Sequence, residues 1–478
     1  MTGGGPGGSL RGPGKETESL AQVWVPSRFN LPVDLPRRRK AVLNTFTGAL
    51  AVLAEETWRR HLASGRQFRC DQAEGAEDLV LLQSQGFLVP QDVNELDVVR
   101  LHYLSETFSD SRLGVTVVST LACNLSCSYC FEGTARTPGV VRAWTKDREN
   151  QVVQHIASAA SGKKAMDICW FGGEPLLAIK TISRVSSLLI PACKQAGMSY
   201  SATLVTNGTL LSRDVVGTLE KCGLSYIQVT VDVPAAEKRD RRGRNTAEAV
   251  LDNLAFAARR IPTHLRINLG RDEPAEFDRL YDALIRRNLH QHLKRVHFAH
   301  VFVPECGPRG CGFAAMPYPI YAQVSTRERR RAKASRLPVD DACWPEEIGC
   351  RATTRHSMVI GPDGLLYKCP HDVGLAERSY GSVETGTPTN LANLVPWLMY
   401  DWLQYERCAE CPALPGCGGG CPHLRRFQSE QFDAMQYCES FLQQLRDRIR
   451  DRVLAAESPQ SGAVRVIVEK AQPKGGRA

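Results

Sequence analysis

Three cysteines fall within one short stretch: Cys123, Cys127 and Cys130, in the run Cys-Asn-Leu-Ser-Cys-Ser-Tyr-Cys-Phe-Glu. Three thiolates on one loop can ligate three irons of a [4Fe–4S] cube and leave the fourth iron without a protein ligand. An open coordination position is what a catalytic metal needs. The competing assignments are a structural zinc site, which prefers four closed ligands and usually a CxxC pair, or three buried thiols.

A second set of thiols follows far downstream. Cys343, Cys350 and Cys369 lead to Cys408-x2-Cys411-x5-Cys417-x3-Cys421, and Cys438 closes the set. This stretch is too rich in loop-forming residues to hold a large apolar core, so metal must supply much of its stability. A pair of zinc sites is the alternative. The run Gly416 to Gly420 around Cys417 supplies the small residues and positive φ that a chain wrapping a cluster needs. The 17 cysteines of the chain read as metal ligands or catalytic groups in a reducing compartment rather than as disulfides. Cys70, Cys169, Cys193 and Cys222 are expected to be ordinary core or surface thiols. Cys306 and Cys311 fall in a loop after the last barrel strand.

The elements that must position the first loop are legible as β-branched apolar runs. These are Val115–Thr120, Met166–Phe171, Ala202–Thr206, Tyr226–Asp232, Leu265–Leu269 and Val296–Val303. Helical patterns lie between most of them, for example Arg148 to Ala159 and Thr246 to Arg259. Strand alternating with helix argues for a parallel sheet covered by helices. Six such units fit a partial (βα)6 barrel of α/β class, whose chemistry belongs at the C-terminal ends of the strands. Ahead of it, residues 25–105 read as a small α+β segment. In it Ala41–Leu53 is expected to run strand, turn, helix, and Ala76–Phe87 to form a helix stopped at Gly86. The Pro-, Gly- and Arg-rich stretch from about 306 to 340 reads as a loop or linker. The expected division is 1–24 disordered, 25–105 N-terminal, 106–335 barrel, 336–445 cysteine domain, and 446–478 a helix end with a basic tail.

The chain has 478 residues and is 43% hydrophobic, enough for several domains with real cores. No run of eighteen apolar residues indicates a membrane span, and the Gly-rich start lacks a signal-peptide core. A cytoplasmic protein is expected. The net charge of +9 is modest for this length and gives little reason to expect a nucleic-acid partner. The basic runs Arg37–Lys40 and Arg327–Arg331 read as solvated faces or loops.

The CxxxCxxC loop followed by an aromatic resembles the cluster loop of the radical S-adenosylmethionine (SAM) superfamily. The resemblance implies that Cys123, Cys127 and Cys130 hold a [4Fe–4S] cluster whose open iron binds SAM. One-electron cleavage then gives a 5′-deoxyadenosyl radical that abstracts a substrate hydrogen. Gly172–Gly173–Glu174–Pro175 after the second strand resembles the family's GGEP motif. The implication is close backbone approach to the methionine part of SAM, with Glu174 accepting from its ammonium. Thr206–Asn207–Gly208 after the third strand resembles the stretch near the SAM ribose. Thr230 and Asp232 end the fourth strand, where many relatives carry Asp-Gly and this chain has Asp232–Val233. Arg266 and Asn268 resemble a common RxN pattern that lines the barrel.

The downstream cysteines match the SPASM extension, which in that family holds two auxiliary [4Fe–4S] clusters. Its interleaved ligation implies an outer cluster on Cys408, Cys411, Cys417 and Cys438. It implies an inner cluster on Cys350, Cys369 and Cys421, with Cys343 as the fourth ligand. SPASM proteins characteristically modify peptides or proteins, so the resemblance implies a maturase acting on a precursor peptide and forming a thioether or carbon–carbon crosslink. Its partners would be that peptide and an electron donor such as flavodoxin or ferredoxin. The N-terminal segment, 25–105, resembles the winged-helix or peptide-recognition region of peptide maturases, which implies that it could bind a leader peptide as an added strand. Competing readings are a sulfatase-maturing enzyme, a small-molecule radical SAM dehydrogenase, and a non-catalytic metal-bound peptide-binding module. The sulfatase enzymes carry an Asp base directly after the cysteine matching Cys369, where this chain has Pro370, followed by His371 and Asp372.

Overall fold

The computed structural model describes residues 23–63, 65, 67–69, 76–133, 144–233, 245–301, 315–340, 349–427, 433–456 and 465–467. All six β-branched runs form strands: β7 (Arg112–Val118), β8 (Ala165–Phe171), β9 (Ser199–Thr206), β10 (Leu224–Val233), β11 (Thr263–Leu269) and β12 (Leu293–His300). They pair in chain order, every pair parallel. Such strands are covered on both faces, which explains their continuous apolar character. The outward residues meet helices. Val152 and Ile156 of the helix Lys146–Ala159 and Ile182, Val185 and Leu189 of the helix Ile179–Gln195 are fully buried in one core with Ile168, Leu204 and Val229. That core also explains why the stretch Pro175–Gln195 is long and apolar enough to cross a membrane. The inward residues alternate and are more polar: His264, Arg266 and Asn268 point the other way from Leu265 and Ile267 on β11.

Before the barrel lie β1 (Val23–Pro26), β2 (Asn30–Leu35), β3 (Arg39–Asn44), β4 (Leu50–Ala54), β5 (Phe68–Arg69) and β6 (Leu88–Pro90). After it come β13 (Ser357–Ile360), β14 (Leu365–Tyr367), β15 (Gly381–Ser382) and β16 (Arg465–Ile467). Leu50–Ala54 is a strand, not the expected helix. It closes an antiparallel hairpin with β3, and its Leu50, Ala51 and Leu53 are buried. A five-residue apolar run carries no period that could separate the two. The stretch Tyr318–Ala334 is a helix of 17 residues rather than a linker. Its arginines are paired. Arg327 bonds Asp272 at 2.5 Å, Arg329 and Arg330 share Asp451, and Arg331 meets Glu328 and Asp278.

Two joins were not expected. β13 pairs with β7 in parallel, Met358 opposite Val115 and Ile360 opposite Val117, so the cysteine-rich part extends the barrel sheet to nine strands. The N-terminal segment packs on the C-terminal region. Leu31, Val33 and Leu43 share a core with Ala413 and with Leu445, Ile449 and Val453 of the helix Ala434–Ala456. Phe29, Val99 and Tyr103 share another with Tyr400, Trp402, Cys408 and Leu414. Residues 1–22 and 468–478 lie outside the described residues.

Candidate functional site

The loop after β7 is pinned before any ligand is considered. Leu121 and Leu125 are buried, as is Cys123. The Cys123 Sγ accepts from the backbone N of Leu125 at 3.4 Å and from Asn207 Nδ2 at 3.8 Å. Cys127 and Cys130 follow half-exposed, joined by a bond from Cys130 N to Cys127 O of 3.3 Å. All three stand outside any disulfide, at the C-terminal end of the first barrel strand.

The Gly-Gly-Glu-Pro stretch lies directly against this loop. Gly173 N donates to Thr120 O at 3.0 Å and Glu174 N to Ala122 O at 2.8 Å. A Cβ on Gly173 would sit 2.4 Å from Ala122 O, and one on Gly172, whose φ is +133°, 2.3 Å from Thr120 O. Both glycines are therefore required by the approach of two backbones. Glu174 is fully buried and caps the turn Pro175–Ala178. Its Oε1 accepts from Leu176 N at 3.0 Å and Thr206 Oγ1 at 2.8 Å, and its Oε2 from Asn207 N at 2.8 Å. The carboxylate thus holds the Thr-Asn-Gly turn, and the turn holds the cysteine loop. Asn207 Nδ2 donates to Asn124 Oδ1 at 3.0 Å, and Asn124 Nδ2 to Thr209 Oγ1 at 2.7 Å.

The far side of the loop is tied to the fourth and fifth strands. Tyr129 Oη donates to Asp232 Oδ1 at 2.6 Å, Asn268 Nδ2 donates to the same oxygen at 3.1 Å, and Arg266 Nε donates to Asn268 Oδ1 at 2.9 Å. Burial, then the neighbouring Asp232, holds the Tyr129 hydroxyl protonated well above its ordinary range. Burial lowers the Arg266 guanidinium. Asn124 and Tyr129 were not singled out in the sequence. They lie between the cysteines, which is the one signal that could have marked them.

The downstream thiols fall into two electrostatic neighbourhoods. Burial pushes Cys417 up to about 12, and Cys438, Cys411 and Cys408 add to the shift in that order. Cys408 and Cys411 are raised by burial and feel Cys438 as well. Cys369 is raised by burial, then by Asp372, Cys350 and Cys421. Cys350 is raised by burial and feels Cys421. Thiols packed this closely keep their protons until cations bind among them, because adjacent thiolates repel. Cys343 lies outside the described residues, as do Cys70, Cys306 and Cys311. Gly418, Gly419 and Gly420 all have positive φ, and a Cβ on Gly419 would strike Trp402 at 2.4 Å. Among the described residues no three His, Cys, Asp or Glu side chains could hold a single metal ion.

Each group has a basic side chain beside it. Arg425 Nη2 donates to Cys408 Sγ at 3.8 Å, and its Nε to Gly419 O at 3.2 Å. Lys368 is buried next to Cys350 and donates to Thr354 O at 2.6 Å and Ser357 O at 2.5 Å, and burial brings its ammonium down to about 7. Aromatic rings link the first loop to the second region. Phe131 lies 4.2 Å from the His371 ring and His371 4.9 Å from His423. Asp372 is buried and held by Arg378 at 3.1 Å, with burial raising it to about 6. The remaining described cysteines behave as core thiols: Cys193 rests on Met166 Sδ, and Cys222 donates to Thr218 O at 3.4 Å.

A six-stranded parallel half-barrel with three thiols after its first strand defines a class. Residues 117–284 match the model of the radical SAM superfamily. The chain is 26% identical over 324 residues to a serine-type anaerobic sulfatase-maturating enzyme of Klebsiella aerogenes, covering 63% of this chain and 78% of that enzyme. It is 28% identical over 193 residues to the Fe-coproporphyrin III synthase of Methanosarcina barkeri, covering 39% and 45%. Among solved structures, native anSMEcpe with bound AdoMet and Kp18Cys peptide aligns with a TM-score of 0.55 at 18% identity, covering 72% of this chain and 98% of that one. The chain carries a radical SAM domain over residues 117–284 and is an enzyme. Enzymes of this class work with a [4Fe–4S] cluster and SAM. The non-catalytic binding module is thereby set aside.

Proposed function

We propose that the protein is a three-cluster peptide maturase of the SPASM type, working in the cytoplasm. The observation that carries this reading is the partition of the C-terminal thiols: four (Cys408, Cys411, Cys417, Cys438) in one neighbourhood and three (Cys350, Cys369, Cys421) in another. The first would hold an outer cluster. The second would hold an inner cluster, completed by Cys343. Cys123, Cys127 and Cys130 would hold the SAM-binding cluster. That cluster and SAM, when bound, supply the 5′-deoxyadenosyl radical that removes a hydrogen from a residue of the substrate peptide.

The chain's own residues supply position. Glu174, Thr206 and Asn207 fix the geometry of the cysteine loop and leave Gly172–Pro175 as the wall beside it. Tyr129, Asp232 and Asn268 close the opposite side with a hydrogen-bond network centred on the buried Asp232. The N-terminal sheet sits on the chain around the outer thiols: Arg28 donates to Ala409 O at 2.5 Å and Thr45 Oγ1 bonds Pro412 O. A peptide captured by that sheet is therefore held on the same body as the clusters. Flavodoxin or ferredoxin is the class of electron donor that such chemistry requires.

A thioether or carbon–carbon crosslink is the reaction favoured here. The second reading, oxidation of a sulfatase-type peptide, is favoured by the Klebsiella relative. Against it, Pro370 follows Cys369, and the nearest carboxylate, Asp372, is buried against Arg378. The test is anaerobic reconstitution followed by incubation with SAM, reductant and a co-expressed candidate peptide. About twelve irons per chain, 5′-deoxyadenosine and a peptide lighter by two hydrogens are expected. Zinc without iron, or SAM left uncleaved by iron-replete protein, would sink the proposal. Tandem mass spectrometry separates a new crosslink from an aldehyde at a single residue.

A further inference from the structure

The N-terminal segment shares no core with the barrel. Among the described residues, nothing between 112 and 340 belongs to any of the cores that hold this segment. It stands on the C-terminal region instead, and it stands there in two places. In the first, Leu31, Val33 and Leu43 of β2 and β3 lie on Leu445, Ile449 and Val453 of the helix Ala434–Ala456. Arg450 Nε donates to Asp34 O at 3.4 Å. This helix has 23 residues and its own hold on the helix Tyr318–Ala334. Ser325 Oγ donates to Gln444 Oε1 at 3.1 Å, and Arg330 Nε donates to Asp451 Oδ2 at 2.9 Å. None of those partners is a thiol.

The second place is built around thiols. Phe29, with Val99 and Tyr103 of the helix Glu95–Thr107, packs on Trp402, Cys408 and Leu414. Tyr103 meets Trp402 edge-on, with ring centres 5.7 Å apart. Arg28 donates to Ala409 O at 2.5 Å, and Thr45 Oγ1 to Pro412 O. Both acceptors lie within two residues of Cys411, which itself packs against both shared cores. The stretch from Trp402 to Cys417 has no strand. It consists of the 3-10 turn Trp402–Gln404 and two helices, Glu406–Glu410 of 5 residues and Leu414–Cys417 of 4. Helices this short are marginal in water on their own. The four outer thiols are the donor set of a closed cluster, and three of them lie on this stretch while Cys438 lies on the long helix.

We propose that the metal group of the outer thiols anchors the second support of the N-terminal segment. Joining Cys408, Cys411 and Cys417 to Cys438 fixes the stretch Trp402–Cys417 under the helix Glu95–Thr107. Losing that metal frees this helix and Phe29, while β2 and β3 stay on the helix Ala434–Ala456. The inference rests on the outer-cluster assignment and adds to it a mechanical role. The first cysteine loop, fastened by Glu174 and Asn207, is not part of this linkage. Oxidative loss of the outer metal therefore costs the N-terminal segment its place while the barrel stays folded.

Amide exchange read by mass spectrometry on the full chain tests this in three preparations. They are the chain reconstituted with iron and sulfide, the same chain stripped by a chelator, and the reconstituted double variant Cys417→Ala, Cys438→Ala. Neither substituted thiol belongs to a shared core. The double variant isolates the outer group, because Cys350 and Cys369 remain. In both metal-poor preparations exchange over residues 95–107 is expected to quicken at least about tenfold, and over 39–44 by no more than about twofold, with residues 165–171 of the barrel unchanged. Trp402→Leu supplies the converse: 95–107 loosens with the iron still in place, because the core itself is broken. Protection of 95–107 in the double variant equal to wild type overturns the proposal. So does loosening of 39–44 or of the barrel to the same extent, or a W402L chain as protected as wild type. Iron counting and EPR separate the two readings. A chain that takes only zinc at the outer thiols and protects 95–107 breaks the three-cluster reading alone. A chain that holds iron there, and protects 95–107 equally without it, breaks this one alone.

Discussion

The two thiol-bearing regions are built in opposite ways. The loop of Cys123, Cys127 and Cys130 hangs from a regular strand and is fastened by polar side chains: Asn207, Asn124 and Thr209 on one side, Tyr129 and Asp232 on the other. The region from Cys350 to Cys438 has short strands and short helices, three consecutive positive-φ glycines and thiols forced against one another. The first is a shape the chain can hold alone. On the proposed cluster reading, the second is a shape that bound metal would complete by replacing the thiol protons.

The sharpest way to break this comparison is to remove one thiol from each region. Cys417→Ala deletes a ligand from the most crowded group. It is expected to forfeit a metal contribution on the order of 10 kcal/mol and to expose amides from 400 to 440 to rapid exchange, while barrel amides keep their protection. Cys127→Ala is expected to abolish SAM cleavage and leave protection unchanged in both regions. If C127A loosens the barrel as far as C417A loosens the C-terminal region, the contrast is wrong.

The next effect lies inside the loop's own scaffold. Glu174→Gln keeps the size of the side chain but turns an amide donor toward one of the three donors that the carboxylate receives. An unsatisfied buried donor costs about 1–3 kcal/mol. SAM cleavage should fall roughly 10- to 100-fold, with iron content at the first loop unchanged in EPR integration. Wild-type cleavage by E174Q would remove Glu174 from the positioning network.

The barrel's independence from metal can be sharpened through its half-buried imidazole, His297. Burial first, then Arg266 and Arg295, brings His297 down to about 4. A histidine depressed in the fold contributes stability that is complete above the unfolded value of 6.5 and is lost as pH falls from there toward 4. The loss is on the order of 2–3 kcal/mol. Urea unfolding of metal-free protein, followed by barrel amides at pH 7 and pH 4.5, should show this loss, and His297→Gln should flatten it. The same pH dependence in H297Q would assign the effect elsewhere.

The same contrast decides what could be read in the sequence. The six barrel strands were legible because burial on both faces leaves β-branched runs, and their ends located Cys123, Glu174 and Thr206 to within a few residues. The grouping of the later cysteines came from resemblance, and their spacing alone did not dictate it. What escaped was non-local or masked by composition. Nothing in Ser357–Ile360 announces that it will pair with β7. Nothing in Leu31 or Val33 says that Ile449 will cover them. The arginines of Tyr318–Ala334 looked like a linker because their acidic partners, Asp272 and Asp451, lie 55 and about 120 residues away.

The smallest effect concerns how each region treats its sulfur. Cys123 receives one backbone and one side-chain amide, both neutral. Cys408 receives the charged guanidinium of Arg425, which stacks 4.3 Å over Tyr405 and is anchored to Gly419 O. A cation and a hydrogen bond at a ligand sulfur stabilise the reduced, more negative state of a cluster and raise its reduction potential. Arg425→Met keeps much of the stacking stem and removes both. Iron content should hold, and the EPR-monitored midpoint of the outer cluster alone should move to lower potential, with the SAM-binding cluster unmoved. Arg425→Lys keeps the charge but loses the forked geometry, so it should fall between the two. A midpoint unchanged in R425M would mean that the 3.8 Å contact serves packing only. The two regions would then differ in how they are folded and not in how their metals are tuned.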